Sequence, residues 1–93
     1  MRTIERSSQF RRDYKRESKG QHRATLDDDL VSILTALANE RPPEARHRDH
    51  ALSGDWSGYR ECHVRPDLLL IYRKPDEETV WLVRLGSHSE LFG

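Results

Sequence analysis

The sequence predicts an α+β domain of order β-α-α-β-β-β, with a helical hairpin packed on one face of a small, mainly antiparallel sheet. Three observations carry this. Leu26, Leu30, Ile33, Leu34 and Leu37 recur at helical spacing. Residues 59–64 alternate along a strand and 68–72 form an unbroken apolar run, both of which read as strands. The connections among the last three strand segments are short and turn-rich, which makes those segments antiparallel neighbours.

Arg2 to Arg6 is a short strand with Ile4 inward. Ser7 and Ser8 suit a helix N-cap, where a hydroxyl accepts from a free backbone N–H. Phe10 and Tyr14, four apart, give the first helix one apolar stripe that runs out near Gly20. The second helix runs from about Ala24 to Asn39. Thr25 is its expected N-cap, and Asp27, Asp28 and Asp29 sit where the helix dipole favours acids. Capping explains that acidic run better than metal binding does. Pro42 and Pro43 end the helix.

Residues 44–57 are polar and are expected as loop, with Gly54 and Gly58 flanking Trp56. In the next strand Tyr59, Glu61 and His63 share one face, and Arg60, Cys62 and Val64 the other. Pro66-Asp67 is a tight turn. Leu68 to Tyr72 is a central strand buried on both faces. Lys74 to Glu78 is a charged hairpin loop, and Thr79 to Leu85 is the last strand. Strict alternation along it puts Val80, Leu82 and Arg84 on one face, and Trp81, Val83 and Leu85 on the other. No repeat or linker divides the chain, so residues 1–93 are one domain.

Composition narrows the classes. Apolar residues make up 34% of the chain and charged residues another 34%, which is a thin core under a charged surface. A bound partner would add stability. The net charge is zero, so overall charge makes no case for nucleic acid. Residues 1–24 nevertheless carry eight Lys and Arg against three acids. Such a cluster either follows a phosphate backbone or is a solvated helix face. Cys62 is the single cysteine and reads as a core residue in a reducing compartment. There is neither a membrane-length apolar run nor a signal-peptide pattern, so a cytoplasmic protein with no membrane partner is expected.

The chemistry-bearing residues lie in the second half. In a meander, the end of one strand lies beside the start of the next. That topology carries His63, Asp67, Arg84 and His88 to one end of the sheet. Imidazoles, a carboxylate and a guanidinium suit cleavage of an RNA phosphodiester. The reaction needs a base for the 2′-OH, an acid for the leaving 5′ oxygen, and a cation for the charge on the phosphate. Histidine serves the first two roles because its ordinary pKa is ~6.5. Asp67 either takes the proton or orients a histidine. Arg84 either grips the phosphate through paired N–H bonds or simply pairs with Glu61. Phe92 and Tyr59 offer stacking surfaces for a base. Taken singly, each residue also has a plain structural reading. The stretch His47-Arg48-Asp49-His50 with His63 and His88 raises a zinc alternative, but no ligand pair falls in a defined helical frame.

The segment Asp49-His50-Ala51-Leu52-Ser53-Gly54-Asp55-Trp56 leads into Tyr59-Arg60-Glu61-Cys62-His63-Val64-Arg65-Pro66-Asp67. With Arg84-Leu85-Gly86-Ser87-His88-Ser89-Glu90-Leu91-Phe92, this pattern resembles the YafQ branch of the RelE-type toxins of bacterial toxin–antitoxin systems. The resemblance is dense over residues 49–93; before that, only the order of elements matches. It implies a ribosome-dependent, metal-independent mRNA endoribonuclease with no cofactor, leaving 2′,3′-cyclic or 3′-phosphate ends. Its partners would be the ribosome, mRNA and a neutralising antitoxin, through which alone it would reach operator DNA. It implies His50, His63, Asp67 and His88 as catalytic residues, with Arg84 and Phe92 in supporting roles; Tyr59 and Glu61 are expected beside them at the substrate. The residue after the turn aspartate is aromatic in some relatives and is Leu68 here, so no stacking role carries over to it. The alternative is an inactive relative that serves as an antitoxin-binding module in a repressor complex.

Overall fold

The computed structural model describes residues 1–93. Strand β1 (Thr3–Arg6) is followed by helices α1 (Ser8–Glu17) and α2 (Leu26–Ala38). Strands β2 (His50–Ala51), β3 (Arg60–Arg65), β4 (Leu68–Arg73) and β5 (Thr79–Gly86) follow, and helix α3 (His88–Phe92) closes the chain. The five strands form one sheet of order β1-β5-β4-β3-β2, with β1 parallel to β5 and every other pair antiparallel.

The α+β architecture and the helical hairpin on one face are as the sequence predicts. Phe10 from α1 and Leu26, Leu30, Ile33 and Leu37 from α2 bury against Cys62, Val64, Leu68, Leu70, Tyr72, Val80, Leu82 and Leu85. Cys62 is fully buried, and burial pushes its thiol pKa up, so it is a core residue. The opposite face carries a second cluster. Leu69, Ile71, Val83 and Leu91 pack there with Leu52, Trp56, Tyr59, Trp81 and Phe92. Strand β4 therefore has its first five residues buried, as a two-sided central strand requires.

Four details depart from the sequence reading. Residues 44–57 are not plain loop: they contain β2 and 3₁₀ turns at Ala45–His47 and Gly54–Trp56. A two-residue strand is too short to show periodicity. The tail folds into α3, whose N-cap Ser87 and Glu90 form a reciprocal capping box. Thr25 precedes α2 but makes no side-chain cap; its hydroxyl meets the His22 carbonyl instead. Strict alternation fails in β5, because the register with β4 shifts between Ile71 and Tyr72. The extra residue returns Leu85 to the helix-facing core with Val80 and Leu82.

Of the basic residues in the first 24 positions, Arg2 pairs with Glu40, and Arg16 with Asp13, Glu17 and Glu90. Arg6, Arg11, Arg12, Lys15, Lys19 and Arg23 make no ion pair. No helix is long and apolar enough to cross a membrane.

Candidate active site

Strand pairing builds the first cluster. His50 lies opposite Glu61 in the antiparallel β2–β3 pair, so the two side chains share a face. His63 is two residues beyond Glu61 on β3 and falls on that same face. Both imidazoles consequently stand over one carboxylate. His50 Nε2 is 3.5 Å and His63 Nε2 is 3.7 Å from Glu61 Oε1. Glu61 is almost wholly buried. His50 Nδ1 lies 2.8 Å from the Arg48 carbonyl and donates to it. That tautomer aims Nε2 at the carboxylate, and a proton on Nε2 completes the pair. His63 Nδ1 faces the Pro66 carbonyl at 3.4 Å, an arrangement of the same kind.

The second cluster covers the neighbouring strands of the same face. His88 opens α3, and its ring centre is 4.9 Å from that of Phe92, one turn on. Phe92 meets Trp56 edge-on at 5.7 Å, and Trp56 meets Tyr59 at 5.3 Å. The Arg73 guanidinium lies over the Tyr59 ring, 5.6 Å from its centre. The clusters are joined through the sheet. His63 is in register with Leu69, and Leu69 with Gly86, two residues before His88. Two strand spacings separate His63 from Gly86, about 10 Å.

Two residues of the sequence-derived set turn elsewhere. Asp67 is exposed in its turn and reaches the connection between α1 and α2. It accepts from Gln21 Nε2 at 2.6 Å and meets His22 Nε2 at 2.8 Å. The His22 hydrogen bond is the main reason its carboxyl lies below the usual range. Arg84 does not pair with Glu61. Its Nε donates to Asp13 Oδ2 at 2.7 Å and its Nη2 to Asp13 Oδ1 at 3.3 Å, leaving Nη1 without a protein partner. Asp13 also accepts from the Leu85 N–H, 3.0 Å away. Burial works to raise the Asp13 carboxyl, but bonds from Arg84 and Leu85 and the charges of Arg84 and Arg16 outweigh it and hold the pKa low. The register thus brings the residues to one end of the sheet, while the side chains of Asp67 and Arg84 are held by the helical layer.

Sequence reasoning missed those holders: Asp13, Gln21 and His22. One signal existed for Asp13, a carboxylate between Phe10 and Tyr14 on the apolar stripe of its helix. His47, weighed in the sequence only as a zinc ligand, is buried and donates from Nδ1 to the His63 carbonyl at 2.7 Å. Asp49 binds Arg60 at 2.9 Å and the Tyr72 hydroxyl, fastening the residues before β2 to the sheet. No three His, Cys, Asp or Glu side chains are grouped to hold a metal ion.

The chain is similar over its whole length to known proteins. The model of the family described as bacterial toxin of type II toxin–antitoxin system, YafQ, matches residues 2–93. The mRNA interferase toxin YafQ of Escherichia coli is 40% identical over 93 residues, covering 99% of this chain and 97% of that one. The toxin in the E. coli DinJ–YafQ complex superposes with a TM-score of 0.83 at 38% identity, all of both chains being covered. A metal-bound toxin from Helicobacter pylori superposes with a TM-score of 0.81 at 43% identity, over 99% of this chain and 100% of that one. On sequence and fold together, this chain belongs to the YafQ family of bacterial type II toxin–antitoxin toxins.

Proposed function

We propose that this protein is a toxin that cleaves mRNA on the ribosome without a metal, and that a cognate antitoxin neutralises it. The observation that supports the reading best is the shared sheet face bearing His50 and His63 over Glu61 on one side and His88 with Phe92 on the other. The E. coli relative is an mRNA interferase toxin, and E. coli DinJ and YafQ form a toxin–antitoxin complex. In this reading two imidazoles divide the work. One removes the 2′-OH proton, so that the 2′ oxygen attacks phosphorus; the other protonates the departing 5′ oxygen. The products are a 2′,3′-cyclic phosphate, or the 3′-phosphate after hydrolysis, and a 5′-hydroxyl. His88 and Phe92 contact the RNA at the open end of α3, with Tyr59 extending the stacking surface. Glu61 holds the orientation of His50 and His63. Asp67, fixed by Gln21 and His22, meets the nucleotide at the turn. Arg84 offers the Nη1 that Asp13 leaves free.

Induced expression should arrest growth, and His88→Ala should relieve the arrest. RNA ends mapped on ribosomes should carry cyclic or 3′-phosphates from the wild type and be missing from His88→Ala. Cleavage should survive EDTA. If His63→Ala, Asp67→Ala and His88→Ala all stayed fully toxic, the catalytic assignment would fail. Tight antitoxin binding with no effect on translation would replace it with the binding-module reading.

A further inference from the structure

We infer that Arg46 and Arg48 form a phosphate-binding subsite that holds an RNA phosphate against His63. Two small clefts adjoin on the outer side of His63. One, of about 210 Å³, is lined only by Arg46, Arg48, His63 and Pro66. The other, of about 190 Å³, is lined by Arg46, His47, His63, Val64, Arg65 and Pro66. No carboxylate lines either cleft, although the chain has as many acids as bases.

Two of the three guanidinium charges in these clefts are weakly compensated or free. Arg48 makes no ion pair and no side-chain hydrogen bond within the protein. Arg46 has only an exposed contact with Glu44 at 3.6 Å, the weakest class of surface pair. Arg65, by contrast, is neutralised by Asp29 at 2.7 Å, so the free charge is concentrated on Arg46 and Arg48. His47 gives the wall a buried ring nitrogen, Nε2, with no partner. Its other nitrogen is bonded to the His63 carbonyl, which ties the cleft to the His63 backbone.

The backbone is shaped to present these side chains. Arg48 has φ of +48°, a left-handed conformation that a long side chain seldom adopts. It ends the 3₁₀ turn Ala45–His47, and its carbonyl accepts from His50 Nδ1. One strained residue thereby sets the tautomer of His50 and sends a guanidinium into the cleft beside His63. Strain of this kind is kept where the surroundings enforce it, often at functional sites. A guanidinium pair with an imidazole on one wall suits a tetrahedral oxyanion. A carboxylate of a protein partner has no equal need for the imidazole, so a phosphate is the occupant argued for.

The inference rests on the nuclease reading, since the phosphate is taken to be RNA's. Two measurements separate them. Titration of the free protein with inorganic phosphate and with adenosine 3′-monophosphate, followed by NMR, should shift signals of residues 46–48 and 63–66. The double variant Arg46→Gln/Arg48→Asn should weaken that binding about tenfold or more. Asparagine tolerates the left-handed backbone, which isolates the charge from the strain. On ribosomes the same variant should raise the KM for mRNA cleavage far more than it lowers kcat. Shifts that centre on Arg84 and His88, or that persist in the double variant, would overturn the subsite. So would a variant that loses affinity only for the antitoxin. Phosphate binding at Arg46 and Arg48 in a protein that cleaves no RNA would keep the subsite and defeat the nuclease reading.

Discussion

At the scale of single residues, the side chains divide by who holds them. His50, Glu61 and His63 are brought to one face by strand geometry, and a period of two puts Glu61 and His63 there in the sequence itself. Asp67 and Arg84 are held by residues 45 and 71 positions away, and no local pattern reports such a distance. His22 is therefore a positioning residue for Asp67. In His22→Ala, the Asp67 carboxyl should return towards its ordinary value, which carboxyl-carbon NMR titration reads directly. The acid limb of the cleavage–pH profile should move up with it. An unmoved Asp67 titration in that variant would remove His22 from the site.

At the scale of elements, the informative departures are short ones. The main strands and both long helices were legible because each carries a full period of apolar residues. Strand β2, with two residues, and α3, with five, are fixed by what they pack against. Helix α3 depends on Gly86, where a Cβ would come within 3.2 Å of Glu90 Oε1 and 3.3 Å of Leu91 Cδ2. It would also sit 2.8 Å from Arg16 Nη2, the flexible end of a long side chain. Gly86→Ala should cost about 1–2 kcal/mol in urea denaturation. It should also lower cleavage by displacing His88, while the signals of His50 and His63 stay in place. The capping box makes a matching claim: Ser87→Ala should cost about 1 kcal/mol, read by the same melts.

At the scale of the molecule, one sheet separates two tasks. The helical layer on one face supplies most of the burial, and the other face carries His50, Glu61, His63, His88 and Phe92 over a smaller apolar floor. Hydrophobic periodicity revealed the first layer, whereas the second is strand floor completed by loop and tail residues, which have no periodicity. Asp13 links the helical layer to the end of β5. Its folded pKa is depressed, so its contribution is complete above the ordinary carboxylate value of ~3.9 and is lost as pH falls through the lower folded value. Melting temperature should accordingly drop steeply below about pH 4. Asp13→Asn should be less stable by about 3 kcal/mol at neutral pH and should show a shallower acid decline. Equal slopes for the two proteins would show that other carboxylates govern acid unfolding.

The parallel pairing of β1 with β5 bears on how such a protein is made. Thr3 finds its place beside Thr79, and Arg6 beside Leu82. A nascent chain leaving the ribosome has to hold its first strand unpaired until β5 has emerged. Helices α1 and α2 lack Val80, Leu82 and Leu85 of their core for the same interval. A polypeptide that stalls before β5 therefore has neither the partner of its first strand nor the strand that leads into α3 and His88.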